Sequence, residues 1–285
     1  MNYEHQYHAG NFADVMKHIL LLQLLEKLNG KDKPYSYVDT HGGAGIYDLS
    51  QAAAQKTGEF LTGIHRLMSL DAREKKQAPE SIQYYLNLVE DIRKQQGKGI
   101  YPGSPWFALQ QLREFDKAHI FEFKEEVFHQ LRHNIRDRRA SLHHRDAYEG
   151  LLALIPVKEK RGLVMIDPPY EMERKDFPEL VELLQKAYKK WPTGIFALWY
   201  PIKDRAMIER FEKKMIKTGI RRQLVCELCV WSDDTAIGLN GSGLLIINPP
   251  WQFAEQAEQA LKWLLPHLRM QEGAGKANVR WLVGE

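Results

Sequence analysis

The run Asp167-Pro168-Pro169-Tyr170 stands directly after the apolar stretch Gly162-Leu163-Val164-Met165-Ile166. An exocyclic amine on a ring such as adenine is a poor nucleophile, because its lone pair is delocalised into the ring. The Asp167 carboxylate and the Pro168 carbonyl can accept its two hydrogens and aim the lone pair at an electrophile. Two prolines remove backbone donors and stiffen the turn, which preorganises those acceptors. The Tyr170 ring offers a face for an unstacked base. Asp167, Pro168 and Tyr170 are therefore the candidate catalytic residues. The plain alternative is a proline-rich strand end with an exposed aspartate.

Three other acids weigh against that alternative by their order. Asp39 opens the turn Thr40-His41-Gly42-Gly43-Ala44-Gly45, an acidic-x-Gly-x-Gly-x-Gly pattern in which His41 takes the first glycine position. Small residues there, Gly43 among them, let a ligand approach the backbone at the carboxyl end of a strand. The dinucleotide fingerprint G-x-G-x-x-G is absent, since Ile46-Tyr47-Asp48 follow Gly45, and this argues against a nicotinamide dehydrogenase. Glu122 ends the next apolar run, placed to hold two ribose hydroxyls. Asp146-Ala147 follow a third run and suit the amine and ring edge of a cofactor adenine. Each acid alone reads as a solvated loop residue. All of them at successive strand ends, with Asp167 next, is a far less accidental arrangement.

The elements that must carry these residues alternate. A helix is expected over 12–28, capped by Asn11, with Asp14 in its first turn and Gly30 beyond its end. It is apolar on more than one stripe, as a helix buried on two sides would be. Seven strands are expected, over 34–39, 118–123, 140–144, 162–166, 194–199, 224–231 and 243–247. Helical patterns over 105–115, 124–135, 176–190 and 206–218 separate most of them. Such alternation predicts a mainly parallel sheet with helices on both faces. The gap between Gly45 and the second strand is too long for one crossover. Residues 51–103 therefore read as an inserted small helical subdomain, with helices around 58–70 and 79–96, in a core of 1–50 and 104–285. Ser104-Pro105 then starts the true crossover helix, serine as N-cap and proline at the first helical position.

Composition sets limits. Of 285 residues, 44% are hydrophobic and 27% charged, which excludes wholesale disorder and a fibrous chain. The formal charge of +3 neither demands nor opposes a nucleic-acid partner. Two cysteines exclude a disulfide scaffold and suit a reducing compartment. The longest apolar tract, 19–25, is interrupted by Gln23 and falls far short of the roughly 20 residues of a membrane span. The start, Met1-Asn2-Tyr3-Glu4-His5, lacks the plan of a signal peptide. A cytoplasmic monomer is the expectation.

Taken together, the acidic glycine turn, the later acids and Asp-Pro-Pro-Tyr look like the successive motifs of an S-adenosylmethionine-dependent amino-methyltransferase. More closely, the chain resembles the bacterial large-subunit ribosomal RNA adenine-N6 methyltransferase J family, over nearly its whole length. The most specific blocks are Tyr3 to His18, Asp39 to Gly45, Tyr101 to Pro105, Arg161 to Glu171, Ala197 to Pro201 and Asn248 to Trp251. The resemblance implies a doubly wound, Rossmann-like class I methyltransferase sheet with a helical insertion. It implies cofactor contacts at His18, His41, Ser104, Glu122, Asp146, Ala147 and Asp167. It also implies an N-terminal segment, 1–18, over the active site, bearing on substrate through Tyr3, His5 and Lys17. The substrate implied is one adenine of large-subunit ribosomal RNA, methylated before assembly is complete.

Competing readings fare worse. A DNA adenine methyltransferase shares the chemistry but is expected to carry a longer recognition region after Tyr170. A non-catalytic RNA-binding protein has no reason to carry Asp-Pro-Pro-Tyr. His5, His8 and His18 lack matched metal-ligand spacing, so no metal is expected. Cys226 and Cys229, three apart on a strand, point to opposite faces and read as buried structural thiols. Asn248-Pro249-Pro250-Trp251 has the form of a second amino-methyltransferase motif. It ends the seventh expected strand, which runs antiparallel in this fold class, so it is expected at the end of the sheet away from the cofactor. Basic clusters within 132–145, 158–161 and 213–222 read as solvated faces, some of which would meet RNA phosphates.

Overall fold

The computed structural model describes residues 4–170, 172–232, 235 and 238–284. A 3-10 turn (His5–Tyr7) leads into α1 (Phe12–Asn29), β1 (Ser36–Asp39) and β2 (Ile46–Asp48). Next come α2 (Ala52–Thr57), a 3-10 turn (Glu59–Thr62), α3 (Ile64–Met68), α4 (Ala72–Gln77) and α5 (Glu80–Gln96). Then follow β3 (Ile100–Pro102), α6 (Ser104–Gln111), β4 (Lys117–Glu122), α7 (Glu125–Asn134), β5 (Ala140–His144) and α8 (Ala147–Leu154). The chain continues through β6 (Gly162–Ile166), α9 (Glu173–Lys190), β7 (Ile195–Ile202), α10 (Arg205–Lys217), β8 (Gln223–Cys229) and β9 (Gly241–Ile247). It ends with α11 (Phe253–Leu268) and β10 (Lys276–Val283). Among the described residues no helix is long and apolar enough to cross a membrane.

The main sheet has eight strands in the order β10-β8-β9-β7-β6-β1-β4-β5. That is one more than the seven expected. The extra strand, β10, pairs antiparallel with β8 at the sheet edge. Lys276, Asn278 and Arg280 alternate with Ala277, Val279 and Trp281, the period-2 signal of a half-buried strand, which the seven expected strands leave out. β2 and β3 form a separate antiparallel pair, three residues each, too short to read from pattern.

Side-chain alternation sends the strands' residues into two cores. Tyr37, Leu163, Met165 and Cys226 join the helices α1, α5, α6 and α11 on one face. Val38, Val164, Ile166 and Cys229 join α8, α9 and α10 on the other. The two cysteines thus lie on opposite faces, buried and unlinked. α1 is wedged under the sheet, with Ile19, Leu20, Leu21, Leu24 and Leu25 all fully buried. Each such side chain stabilises the fold by roughly 1.5–3 kcal/mol. Asn11 caps α1 by accepting from the Asp14 amide at 2.9 Å.

Strands β5, β4, β1, β6 and β7 run parallel, so their carboxyl ends share one edge. β9 runs antiparallel to β7, and its end lies at the opposite edge. There Asn248 donates to the Pro192 and Gly194 carbonyls, at 2.8 and 2.9 Å, just before β7 begins. Asn248 adopts φ +57°, a conformation asparagine tolerates better than alanine. Asn248→Ala is expected to lower stability by about 1–3 kcal/mol, from the lost bonds and the left-handed backbone. Turnover of the folded protein should stay unchanged; thermal melting beside a transfer assay checks both halves.

Candidate active site

At the carboxyl edge the turn after β1 folds back on itself. Gly43 has φ +57°, and a Cβ there would sit 2.1 Å from the Tyr47 hydroxyl, so only glycine fits. Its amide donates to the Glu122 carboxylate at 3.1 Å, tying the ends of β1 and β4 together. Asp39 is fully buried beneath the turn. It accepts from the Tyr37 hydroxyl (2.6 Å), the Ser104 hydroxyl (2.8 Å) and the His41 amide (3.2 Å). Burial pushes the Asp39 carboxyl up to about 6, against the pull of the Tyr37 and Ser104 hydroxyls.

Ser104 is not the N-cap that its sequence position suggests. Gly103 takes that place, Ser104 is the first residue of α6, and no side chain caps the helix. The serine hydroxyl goes to Asp39 instead, since a buried carboxylate without donors is costly.

His5, Lys17, His18, His41, Gly43, Ser104, Glu122 and Asp167 line one cavity of about 590 Å³. That volume suits a nucleoside-sized ligand. Pro169 also lines it, whereas Pro168 is buried beneath the turn. Asp146 and Ala147, at the start of α8 just after β5, are not among the residues that line it. One Asp146 oxygen caps α8 through the Tyr148 and Glu149 amides, both at 2.9 Å. Tyr148 in turn meets the His41 ring edge at 5.8 Å. Tyr170 is pinned by its hydroxyl, which donates to the Trp199 carbonyl at 2.6 Å. Its ring packs against Phe177 and Trp199. Tyr3 lies outside the described residues.

The electrostatics of the site centre on Lys17. Its ammonium lies 2.5 Å from Asp167 Oδ2 and 2.7 Å from Asp14 Oδ1, with the lysine side chain only 5% exposed. Burial favours the neutral amine, but the Asp14 and Asp167 charges outweigh it and hold the Lys17 pKa above the ordinary lysine range. Burial likewise opposes the Asp14 charge, and His5 and Lys17 overcome it, so its carboxyl titrates well below the usual range. Asp14 Oδ2 also accepts from the Gly10 amide and meets His5 Nε2, each at 3.0 Å. The second Asp167 oxygen makes no hydrogen bond with the described residues. Lys17, expected to meet substrate directly, thus holds the candidate catalytic carboxylate in place.

The histidines serve separate partners. His18 bonds the Tyr101 hydroxyl (2.8 Å), which meets the Tyr85 hydroxyl (3.0 Å) from α5. His8 bonds Glu59, and His5 bonds Asp14. Burial lowers the His18 pKa well below 6.5 and that of His41 to about 4, so both rings are neutral near pH 7. Sequence reasoning passed over Asp14, Tyr47 and Trp199. For Asp14 a signal existed, namely its i,i+3 spacing from Lys17.

A mostly parallel, doubly wound sheet with a glycine turn and a line of acids at its carboxyl edge defines a Rossmann-like α/β methyltransferase. Residues 32–283 match the family described as "Ribosomal RNA large subunit methyltransferase D, RlmJ", and the chain belongs to that family. It is 40% identical over 286 residues to "Ribosomal RNA large subunit methyltransferase J" of Escherichia coli K12, covering all of both chains. It is 38% identical over 288 residues to the protein of that name in Haemophilus influenzae, again over both full lengths. A crystal structure of a Legionella pneumophila protein, 33% identical, superposes with a TM-score of 0.85 over 96% of this chain and 98% of that one.

Proposed function

We propose that the chain is an S-adenosylmethionine-dependent methyltransferase acting on the N6 amine of an adenine in large-subunit ribosomal RNA. The observation that carries this reading is the Asp167 carboxylate at the end of β6. Lys17 occupies one of its oxygens, and the other is left for a substrate amine beside the cavity. The names of the full-length relatives supply the RNA class.

When bound, S-adenosylmethionine supplies an electrophilic methyl on a sulfonium centre. Glu122 is the group to hold the ribose hydroxyls, with Asp146 and Ala147 at the adenine of the cofactor. Gly43 and Ser104 keep the cavity wall small and polar. His18 and His41, being neutral, do not repel a cationic ligand. Asp167 and the Pro168 carbonyl accept the two hydrogens of the substrate amine, Tyr170 stacks on the base, and Tyr3 and His5 are its further contacts. Catalysis then rests mainly on position and orientation.

Residues 51–103 form an inserted subdomain in this reading, on a core of 1–50 and 104–285. The chain leaves and returns at adjacent points, where the Leu49 amide meets Gly99 O at 2.7 Å and the Gly103 amide meets Gly45 O at 2.8 Å. The protein is read as a cytoplasmic monomer that acts before the large subunit is complete.

Transfer of labelled methyl to deproteinised total RNA and to genomic DNA tests the substrate class. Label should appear in large-subunit RNA; label in DNA alone contradicts the reading. Glu122→Ala is expected to weaken cofactor affinity roughly 10–100-fold, the scale of a lost charge-assisted bond. Tyr3→Ala should leave that affinity unchanged and cut RNA methylation. Calorimetric titration beside single-turnover assays separates the two.

A further inference from the structure

The segment that enters α1 is gripped by the helical stretch 52–96. Glu59 accepts from Asn11 Nδ2 through one oxygen and meets His8 Nδ1 through the other, each at 2.9 Å. The Ile64 amide donates to Gly10 O at 2.8 Å. The Thr57 hydroxyl donates to Tyr7 O, and the Lys56 ammonium lies 6.0 Å from the centre of the Tyr7 ring. A Cβ on Gly63 would come within 2.2 Å of Gly10 O, so the two backbones meet as closely as glycine allows. From Asn11 the bonds continue inward. Asn11 Oδ1 accepts from the Asp14 amide, and the Lys17 ammonium donates to both Asp14 and Asp167. Glu59 itself does not line the cavity.

We propose that Glu59 is a positioning residue for the methyl transfer, through which the helical stretch braces His8 and Asn11 and thereby the His5–Asp14–Lys17–Asp167 array. The proposal rests on the methyltransferase reading above and gives the stretch a task within it. Glu59 acts on the array at two points, the N-terminal segment through His8 and the start of α1 through Asn11. His8, Asn11 and Glu59 do not line the cavity, so the brace acts on the array from outside it.

The chemistry of the two partners gives the brace a signature. Three charged groups face His8: Glu59 from the 3-10 turn, Asp14 from α1 and Lys203 beyond β7. The Glu59 bond leads in raising the His8 pKa above 6.5, against burial. The charged form of this bond is therefore fully present below pH 6.5 and is lost as pH rises through the raised value. Asn11 cannot turn its amide over, because its oxygen caps α1. In Glu59→Gln, the new amide oxygen must serve Asn11, and its NH2 can donate only to a neutral His8. That variant therefore holds His8 at high pH and loses it at low pH, whereas the native carboxylate accepts from Nδ1–H of either form and binds the charged form more strongly.

The test compares Glu59→Ala and Glu59→Gln with the wild type at pH 6 and pH 8.5. The readouts are single-turnover methylation of large-subunit RNA, cofactor titration, and amide exchange of residues 7–11. Glu59→Ala should slow methylation about tenfold, the scale of one lost charge-assisted bond. It should also speed exchange at 7–11 and leave cofactor affinity unchanged. Glu59→Gln should recover to within about twofold of wild type at pH 8.5 and fall about tenfold at pH 6. If both variants match the wild type in turnover and exchange, or lose turnover equally at both pH values, the proposal is overturned. A wild-type protein that methylates no RNA defeats the functional reading instead, and the exchange data then decide the bracing alone.

Discussion

Asp167→Ala is expected to reduce methyl transfer at least 10²–10³-fold, the typical cost of removing one preorganised polar group from a reacting centre. The fold should survive, because Lys17 keeps Asp14 as its partner at 2.7 Å and no buried charge is stranded. Asp167 lines the same cavity as Glu122, so cofactor affinity is measured alongside and should fall far less than methyl transfer does. Asp167→Asn is the stricter variant, keeping volume and one acceptor oxygen while removing the charge that orients on Lys17. It should remain far below wild type. Single-turnover assays at saturating RNA, with melting curves alongside, separate a chemical loss from a folding loss.

The second large effect is expected at Lys17, and it reaches stability as well as turnover. Lys17→Met keeps most of the side-chain volume but leaves the Asp14 and Asp167 carboxylates without the cation between them. Breaking a buried pair by removing one partner costs about 3–5 kcal/mol, because the remaining charge stays desolvated. Asp14 sits only 3% exposed, so it bears most of that penalty. Turnover should fall by about 10²-fold as Asp167 loses the partner that fixes its rotamer. A melting temperature near wild type, together with normal turnover, would show that the ion pair is incidental.

The two variants differ in how visible their causes were in the chain. The place of Asp167 at the end of β6 could be read from sequence, because an apolar strand followed by Asp-Pro-Pro-Tyr is a local pattern with a chemical reason. The cap on α1, the order of acids at successive strand ends and the opposite faces of Cys226 and Cys229 were legible for the same reason. The placement of Asn248 at the far edge followed from one antiparallel strand. The Lys17–Asp167 bond joins residues 150 positions apart, and only its local half, Asp14 with Lys17, has a sequence signature. Ser104 was misplaced by one residue because capping statistics say nothing about a buried carboxylate arriving from β1. The strand β10 was legible in the alternation of 276–281 and was missed; what the sequence does not give is its partner, β8, at the sheet edge. Glu59 stood in a charged background, and nothing local distinguishes it from a solvated acid until Asn11 and His8 are seen beside it.

The central claim is that Asp167 presents an adenine amine for methylation. The most direct test is mass-spectrometric nucleoside analysis of unmodified large-subunit RNA after reaction with the protein and S-adenosylmethionine. N6-methyladenosine as the single new nucleoside, absent with Asp167→Ala, is the result expected. A methyl on N1 or C2 of adenine, on a ribose oxygen or on another base would contradict the account.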